Sequence, residues 1–250
     1  MNRATTYLLI DVSNSFTKLT FASSSRIARP VRIATDRLTR NYVRKILGRK
    51  QVQRIVVCSV VPSRNAALKG AAGKTPILWL NHRLALGVGI RYPKPSTIGA
   101  DRLANAAAVA VLYGAPAVVV DFGTAVTFDI ISRSKEYIGG VIAPGLESMT
   151  NFLYHRTALL PRLSLREPRR AVGKSTIEAM RAGAIYGYRG LVREILAHIR
   201  QQEFQRERVK IVATGGYARL IAAKLPEIQA VHPHLTLEGL RIVANLNNQA

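Results

Sequence analysis

Two acids in this chain stand at matching places. Tyr7-Leu-Leu-Ile-Asp11 is an apolar run that ends in a carboxylate, and Ala117-Val-Val-Val-Asp121 is another. Small polar residues follow each, at Val12–Ser15 and at Phe122–Ala125. A carboxylate at the end of a buried strand can hold Mg²⁺ directly or through water. Short side chains beside it let backbone N–H groups approach phosphate oxygens. An aspartate there can also cap its own turn, and the sequence leaves both readings of Asp11 open. Lys18 alternates with Leu19 and Phe21, so it projects away from their apolar side. A third acid, Asp101, follows Gly99 and precedes Arg102 at the head of an Ala-rich segment. It reads as a general base or as a helix cap. A helix N-terminus lowers an aspartate pKa, which predicts a weak base there. Arg102 carries a planar fork suited to a substrate carboxylate.

These residues need elements to position them. Residues 6–11 and 16–22 read as strands joined by a tight turn at Val12–Ser15. Arg29–Ala34 suits a third strand, and Asp36 can cap a helix running to about Ile46. Arg54–Val61 is a β-branched buried strand; residues 63–73 and 101–113 suit helices. The pattern then restarts, with a strand at 117–121, a turn at 122–125 and strands at 126–132 and 136–142. Helices follow at 145–153 and 175–200, then a strand at Lys210–Thr214, Gly215-Gly216, a helix near 217–224 and a last one at 237–246. With Asp11 laid on Asp121, Ser13 falls on Gly123, Asn14 on Thr124 and Thr17 on Thr127, and Arg54-Ile-Val-Val lies over Lys210-Ile-Val-Ala. Such a repeat predicts two similar α/β domains, 1–114 and 115–250. A central interdomain cleft between facing turns would hold a polyphosphate. That is the architecture of the actin-like (ribonuclease H-like) ATPase and sugar-kinase group. Asp129 reads as a functional acid or a strand-end acid, and Gly215-Gly216 as an adenine contact or a strand-to-helix turn.

The order of several segments resembles the type III pantothenate kinases. They are Asp11-Val-Ser-Asn-Ser with Lys18, Gly99-Ala-Asp-Arg102, Asp121-Phe-Gly-Thr-Ala with Thr127 and Asp129, Gly139-Gly-Val-Ile-Ala-Pro-Gly145, Thr157-Ala-Leu-Leu-Pro161, and Gly173-Lys-Ser-Thr176 with Gly183 and Gly187. The resemblance implies transfer of phosphate from ATP to the primary hydroxyl of pantothenate, the first step toward coenzyme A. It implies Gly99 and Arg102 as contacts to pantothenate; Asp101 is the expected base there, and Tyr92, in Arg91-Tyr-Pro, is expected to line the same pocket. Asp11, Asn14, Ser15, Lys18, Gly123 and Thr124 would serve ATP and its Mg²⁺. Asp121 would help hold K⁺ or NH₄⁺. It further implies a homodimer, in which Thr176 reaches the pantothenate of a neighbouring subunit. Position 13 departs from the family, which has Gly where this chain has Ser13. A side chain there tolerates positive φ poorly, which predicts weaker ATP binding or a shifted loop.

Composition narrows the alternatives. The chain has 250 residues, 48% of them hydrophobic and 6% aromatic, enough apolar material for a sizeable core. Its apolar runs fall well short of the roughly 20 residues a membrane span needs, and its first residues lack a secretory pattern. A cytoplasmic protein is expected. The one cysteine, Cys58, excludes a disulfide framework, and the histidines are too scattered for a metal triad. Gly173-Lys-Ser resembles the end of a Walker A loop, but Pro168 stands where its first glycine belongs and no strand precedes it. With 37 Lys and Arg against 14 Asp and Glu, the net charge of +23 attracts anions in general. A basic, non-catalytic regulator that binds nucleic acid is therefore the alternative from another class. Another actin-like kinase or phosphatase is the alternative among enzymes. Tyr42 is the single aromatic within the basic stretches at Arg37–Arg54 and Arg162–Arg170, so aromatic residues do not interleave with these charges as stacking platforms would, which favours solvated faces there.

Overall fold

The computed structural model describes residues 7–205 and 207–248, and Thr6 of the first expected strand lies outside them. The chain forms two compact units. One holds the described residues up to Gly114, Lys135–Ile138 and those from His234 onward; the other holds Ala115–Ser134 and Gly139–Pro233.

The first unit opens with β1 (Tyr7–Val12), β2 (Phe16–Ala22) and β3 (Val31–Ala34), followed by α1 (Arg40–Leu47) and β4 (Arg54–Ser59). Then come α2 (Asn65–Ala72), β5 (Ile77–Trp79), the short β6 (Gly89–Ile90) and α3 (Ala100–Leu112). Its sheet runs in the order β3-β2-β1-β4-β5. Leu8, Ile10, Val12, Leu19, Ile55 and Val57 pack one face of it against Val43 of α1 and Leu68 of α2. The α1 cap is Thr39, whose hydroxyl accepts from the Tyr42 N–H, and not Asp36, which sits in a separate 3₁₀ turn at Thr35–Arg37. The β1–β2 turn uses Thr35 instead, whose hydroxyl donates to the Ser13 carbonyl at 2.7 Å.

The second unit carries β7 (Ala117–Phe122), β8 (Ala125–Ile131), β9 (Glu136–Pro144), α4 (Leu146–Arg156) and α5 (Thr176–Ile199). It continues with β10 (Lys210–Gly215), α6 (Ala218–Ala222) and β11 (Ala230–Val231). Its strands run β11-β10-β7-β8-β9, and β6 pairs with the first residues of β9, Glu136 and Tyr137, which belong to the first unit. The topology repeats that of the first sheet. In each, the opening strand is antiparallel to the next and parallel to a later one. Tyr7 lies opposite Arg54 as Ala117 lies opposite Lys210, so the expected alignment of those strands holds in register. The hairpins differ by one residue. Val12 pairs with Thr17, whereas Phe122 pairs with Val126. Thr127 is consequently the counterpart of Lys18, each lying opposite its aspartate, and the sequence pairing of Thr17 with Thr127 is one position out. Asp129 is no strand-end acid: it is fully buried inside β8, opposite Val119.

The last helix, α7 (Leu235–Leu246), packs on α3, β1 and β4 of the first unit, although its place in the sequence assigns it to the second domain. Small residues permit this. A Cβ on Gly239 would overlap the Ala104 carbonyl of α3. A buried hydrogen bond of 2.9 Å from Thr236 to Asn105 and a partly buried one from Tyr7 to Asn245 fix the register. Gly239→Ala should therefore cost about 1–3 kcal/mol through overpacking against backbone. The urea midpoint measures it, and an unshifted midpoint would mean that α3 and α7 can separate freely.

Candidate active site

In the first unit the site residues fall into two groups. The β1–β2 hairpin places Asp11 directly opposite Lys18. Asp11 is buried at 3% exposure, while Asn14 and Ser15 are exposed at the turn and Lys18 is half-buried. Ser13 closes this turn: its N–H donates to the Phe16 carbonyl at 3.2 Å and its hydroxyl to Asp11 Oδ1 at 3.0 Å. Lys135 and Gln205 are the described non-glycine residues with positive φ, so Ser13 is not strained in the way the sequence suggested. Its side chain holds the acid beside it instead.

The second group surrounds the N-terminus of α3. Gly99 caps the helix with φ −57°, a conformation open to any residue. Its lack of a side chain matters for space, because a Cβ would lie 2.5 Å from Asp101 Oδ1. Asp101 Oδ1 accepts from the Arg102 N–H at 2.9 Å. Burial raises the Asp101 pKa above the ordinary value. The backbone hydrogen bond and the Arg102 charge pull the other way and do not prevail. The direction expected from the helix N-terminus is thus reversed, because loss of water costs the carboxylate more than the first helical turn returns. Arg102 lies over the ring of Tyr137, 5.5 Å from its centroid, and Tyr92 meets the same ring edge-on at 6.1 Å. Tyr137 therefore brings Tyr92 and Arg102 together. Sequence reasoning missed it because its place depends on β6 pairing with β9, and a two-residue strand leaves no pattern.

In the second unit the β7–β8 turn holds Asp121 half-buried, with Gly123 and Thr124 exposed. The carbonyl of Thr124 accepts from the Gly145 N–H at 3.1 Å and from the Ser148 hydroxyl at 2.7 Å, which binds the turn to the start of α4. Gly145 is essential to that fit, since a Cβ on it would overlap the Gly123 and Thr124 carbonyls. Thr176 stands apart, exposed at the first position of α5. The cap of α5 is Ser175, which accepts from the Glu178 N–H at 3.3 Å, while Glu178 accepts from the Lys174 N–H at 2.7 Å.

Each unit thus carries a turn of small residues beside an aspartate, and the first unit adds a half-buried aspartate next to a guanidinium. A family model for type III pantothenate kinase matches residues 7–198. The chain belongs to the type III pantothenate kinase family. The type III pantothenate kinase of Akkermansia muciniphila is 50% identical over 244 residues, which cover 97% of this chain and 99% of that one. Solved structures share the fold at low identity. A Campylobacter jejuni protein described as a Baf family transcriptional activator aligns with a TM-score of 0.64 at 21% identity, covering 97% of this chain and all (100%) of that one. The activator of 2-hydroxyisocaproyl-CoA dehydratase from Clostridium difficile, with bound ADPNP, aligns at 0.55 and 10% identity, covering 97% and 95%. The fold is that of two actin-like α/β domains.

Among the described residues the element before Gly173-Lys-Ser is α4 and not a strand, so the segment lacks the strand–loop–helix context of a P-loop. Gly173 instead packs against the first turn of α5, where a Cβ would overlap the Ala179 N–H. Gly215 likewise lies against protein backbone, here that of a strand. With φ +93°, it passes so close to β7 that a Cβ would lie 2.6 Å from both Asp121 Oδ1 and the Phe122 nitrogen. The strand-to-helix reading of Gly215 is the one the geometry supports.

Proposed function

We propose that this protein transfers the terminal phosphoryl group of ATP to the primary hydroxyl of pantothenate, giving 4′-phosphopantothenate. The observation that carries the reading is the pairing of Asp101 with Arg102 at the head of α3. A base of raised pKa beside a guanidinium suits an acceptor that has both a hydroxyl and a carboxylate, as pantothenate does. Arg102 binds the carboxylate, and Tyr92 and Gly99 shape the surrounding pocket. Asp101 accepts a hydrogen bond from the attacking hydroxyl and takes its proton as the phosphorus–oxygen bond forms and ADP leaves. In a loose transition state the hydroxyl needs orientation more than early deprotonation. Asn14, Ser15, Lys18, Gly123 and Thr124 contact the phosphates and spread the developing charge.

No three metal-binding side chains cluster among the described residues, so these residues offer no all-protein cage. Asp11 fits the other mode, one carboxylate completed by phosphate oxygens and water. Mg²⁺ there would neutralise phosphate charge. Asp121 presents its carboxylate in the space that a Gly215 Cβ would fill, and its oxygens suit K⁺ or NH₄⁺. Ile142, Phe152, Leu159, Val172, Ile177 and Tyr186 are exposed apolar residues of the second unit, and Val172 and Ile177 lie near Thr176 in sequence. They support a homodimer in which Thr176 reaches the partner's pantothenate. No helix among the described residues is long and apolar enough to cross a membrane, and we assign the protein to the cytoplasm.

A coupled assay of ADP release tests this reading, run with and without pantothenate, first in K⁺ and then in Na⁺. Turnover should need pantothenate and should be faster in K⁺. ADP release indifferent to pantothenate would remove the substrate assignment.

A further inference from the structure

Arg32 has no part in the site as read so far. Its place is set by strand register. Asp11 lies opposite Lys18, and Lys18 lies opposite Arg32. Directly opposed residues of antiparallel strands project from the same face. The three charged groups therefore form one row across β1, β2 and β3, with the phosphate turn at one end of their hairpin. Among the described residues no carboxylate pairs with Arg32. Two cations at opposed positions repel each other, and an anion bridging them reverses that. A second observation concerns Phe16. It is a large apolar residue left 39% exposed at the turn end of β2, and the Arg32 guanidinium carbon lies 3.4 Å from its ring centroid. Stacking on an aromatic face restrains a guanidinium while leaving its N–H edges pointing outward, the geometry that meets phosphate oxygens.

We propose that Arg32, seated on Phe16, is a further phosphate-binding residue that contacts the terminal phosphate of ATP together with Lys18. The proposal rests on the reading of the Asp11 turn as a phosphate turn. The aromatic seat explains why an exposed phenylalanine sits beside that turn. It also fixes the direction of approach, which a flexible surface arginine would not.

Arg32→Gln, Phe16→Leu and Lys18→Gln are compared by calorimetric titration with a non-hydrolysable ATP analogue and with ADP. Arg44→Gln on α1, also exposed, controls for the loss of one positive charge. Arg32→Gln should weaken the ATP analogue by about tenfold or more, the size expected for a lost charge-assisted hydrogen bond, and leave ADP near its wild-type affinity. Phe16→Leu should give a smaller loss in the same direction, and Arg44→Gln none. If Lys18→Gln weakens the analogue while Arg32→Gln matches wild type, the proposal fails and the phosphate turn stands. If neither variant changes binding, the phosphate reading of the turn fails as well. Equal loss of ADP and analogue in Arg32→Gln would move its contact away from the terminal phosphate and overturn the assignment.

Discussion

Asp101→Asn should cripple phosphoryl transfer and make the protein more stable at neutral pH. The carboxylate is half-buried at the head of α3, and its pKa is raised because burial disfavours the charged form. Asparagine keeps an oxygen to accept the Arg102 N–H at the same place. It cannot take a proton, so kcat should fall by roughly a hundredfold to ten-thousandfold. Nucleotide binding should survive, because the β1–β2 and β7–β8 turns are untouched. The stability gain follows from linkage. A carboxyl whose folded pKa lies above its unfolded one stabilises the fold below the unfolded pKa, and that contribution is lost as pH rises through the folded pKa. At neutral pH the wild type therefore carries the cost of a desolvated charge, and the variant does not. The difference in thermal midpoint should be largest near pH 7 and should shrink as the pH falls toward the ordinary carboxylate range. A variant of equal or lower stability at pH 7 would mean that the charge is compensated in the fold.

Gly215→Ala should damage the second phosphate turn. Gly215 has φ +93°, where an L side chain is strained, and an added Cβ would meet Asp121 Oδ1 and the Phe122 backbone at 2.6 Å. These neighbours belong to a central strand of the sheet, flanked by β10 and β8, so they have little room to move. Displacing them shifts Asp121 and the Gly123–Thr124 turn that follows it. A loss of about 1–3 kcal/mol is expected from overpacking, with a fall in affinity for an ATP analogue. Gly216→Ala is the contrast, since no atom lies within 4 Å of its added Cβ. Urea midpoints and calorimetric titration of the two variants should separate sharply. Normal nucleotide affinity in Gly215→Ala with lost affinity in Gly216→Ala would restore the adenine reading of this pair.

Much of the fold was legible because its signals are local. Four-residue apolar runs ending in Asp11 and Asp121 marked the central strands, and their repetition announced two units of like topology. The turn residues and the Gly99–Arg102 segment could be read for the same reason. Features that depend on tertiary pairing were hidden. The β5, β6 and β11 strands are two or three residues long and carry no periodicity. The membership of α7 is decided by the fit of Gly239 on Ala104, which the chain order disguises. The one-residue difference between the hairpins appears only in their hydrogen-bonded register. At Asp101 the sequence showed the helix terminus and not the burial that outweighs it. At Ser13 it showed a residue ill suited to positive φ, but a turn that avoids positive φ makes the hydroxyl useful as a donor to Asp11.

The most direct measurement follows the phosphorus atom. The wild type and Asp101→Asn are each incubated with pantothenate and with ATP labelled in its terminal phosphate, and the labelled products are identified by mass. The account predicts that the wild type places the label on pantothenate, one for each ADP formed, and that the variant binds ATP but transfers almost none. Label recovered as inorganic phosphate, or placed on pantothenate equally well by both proteins, would contradict it.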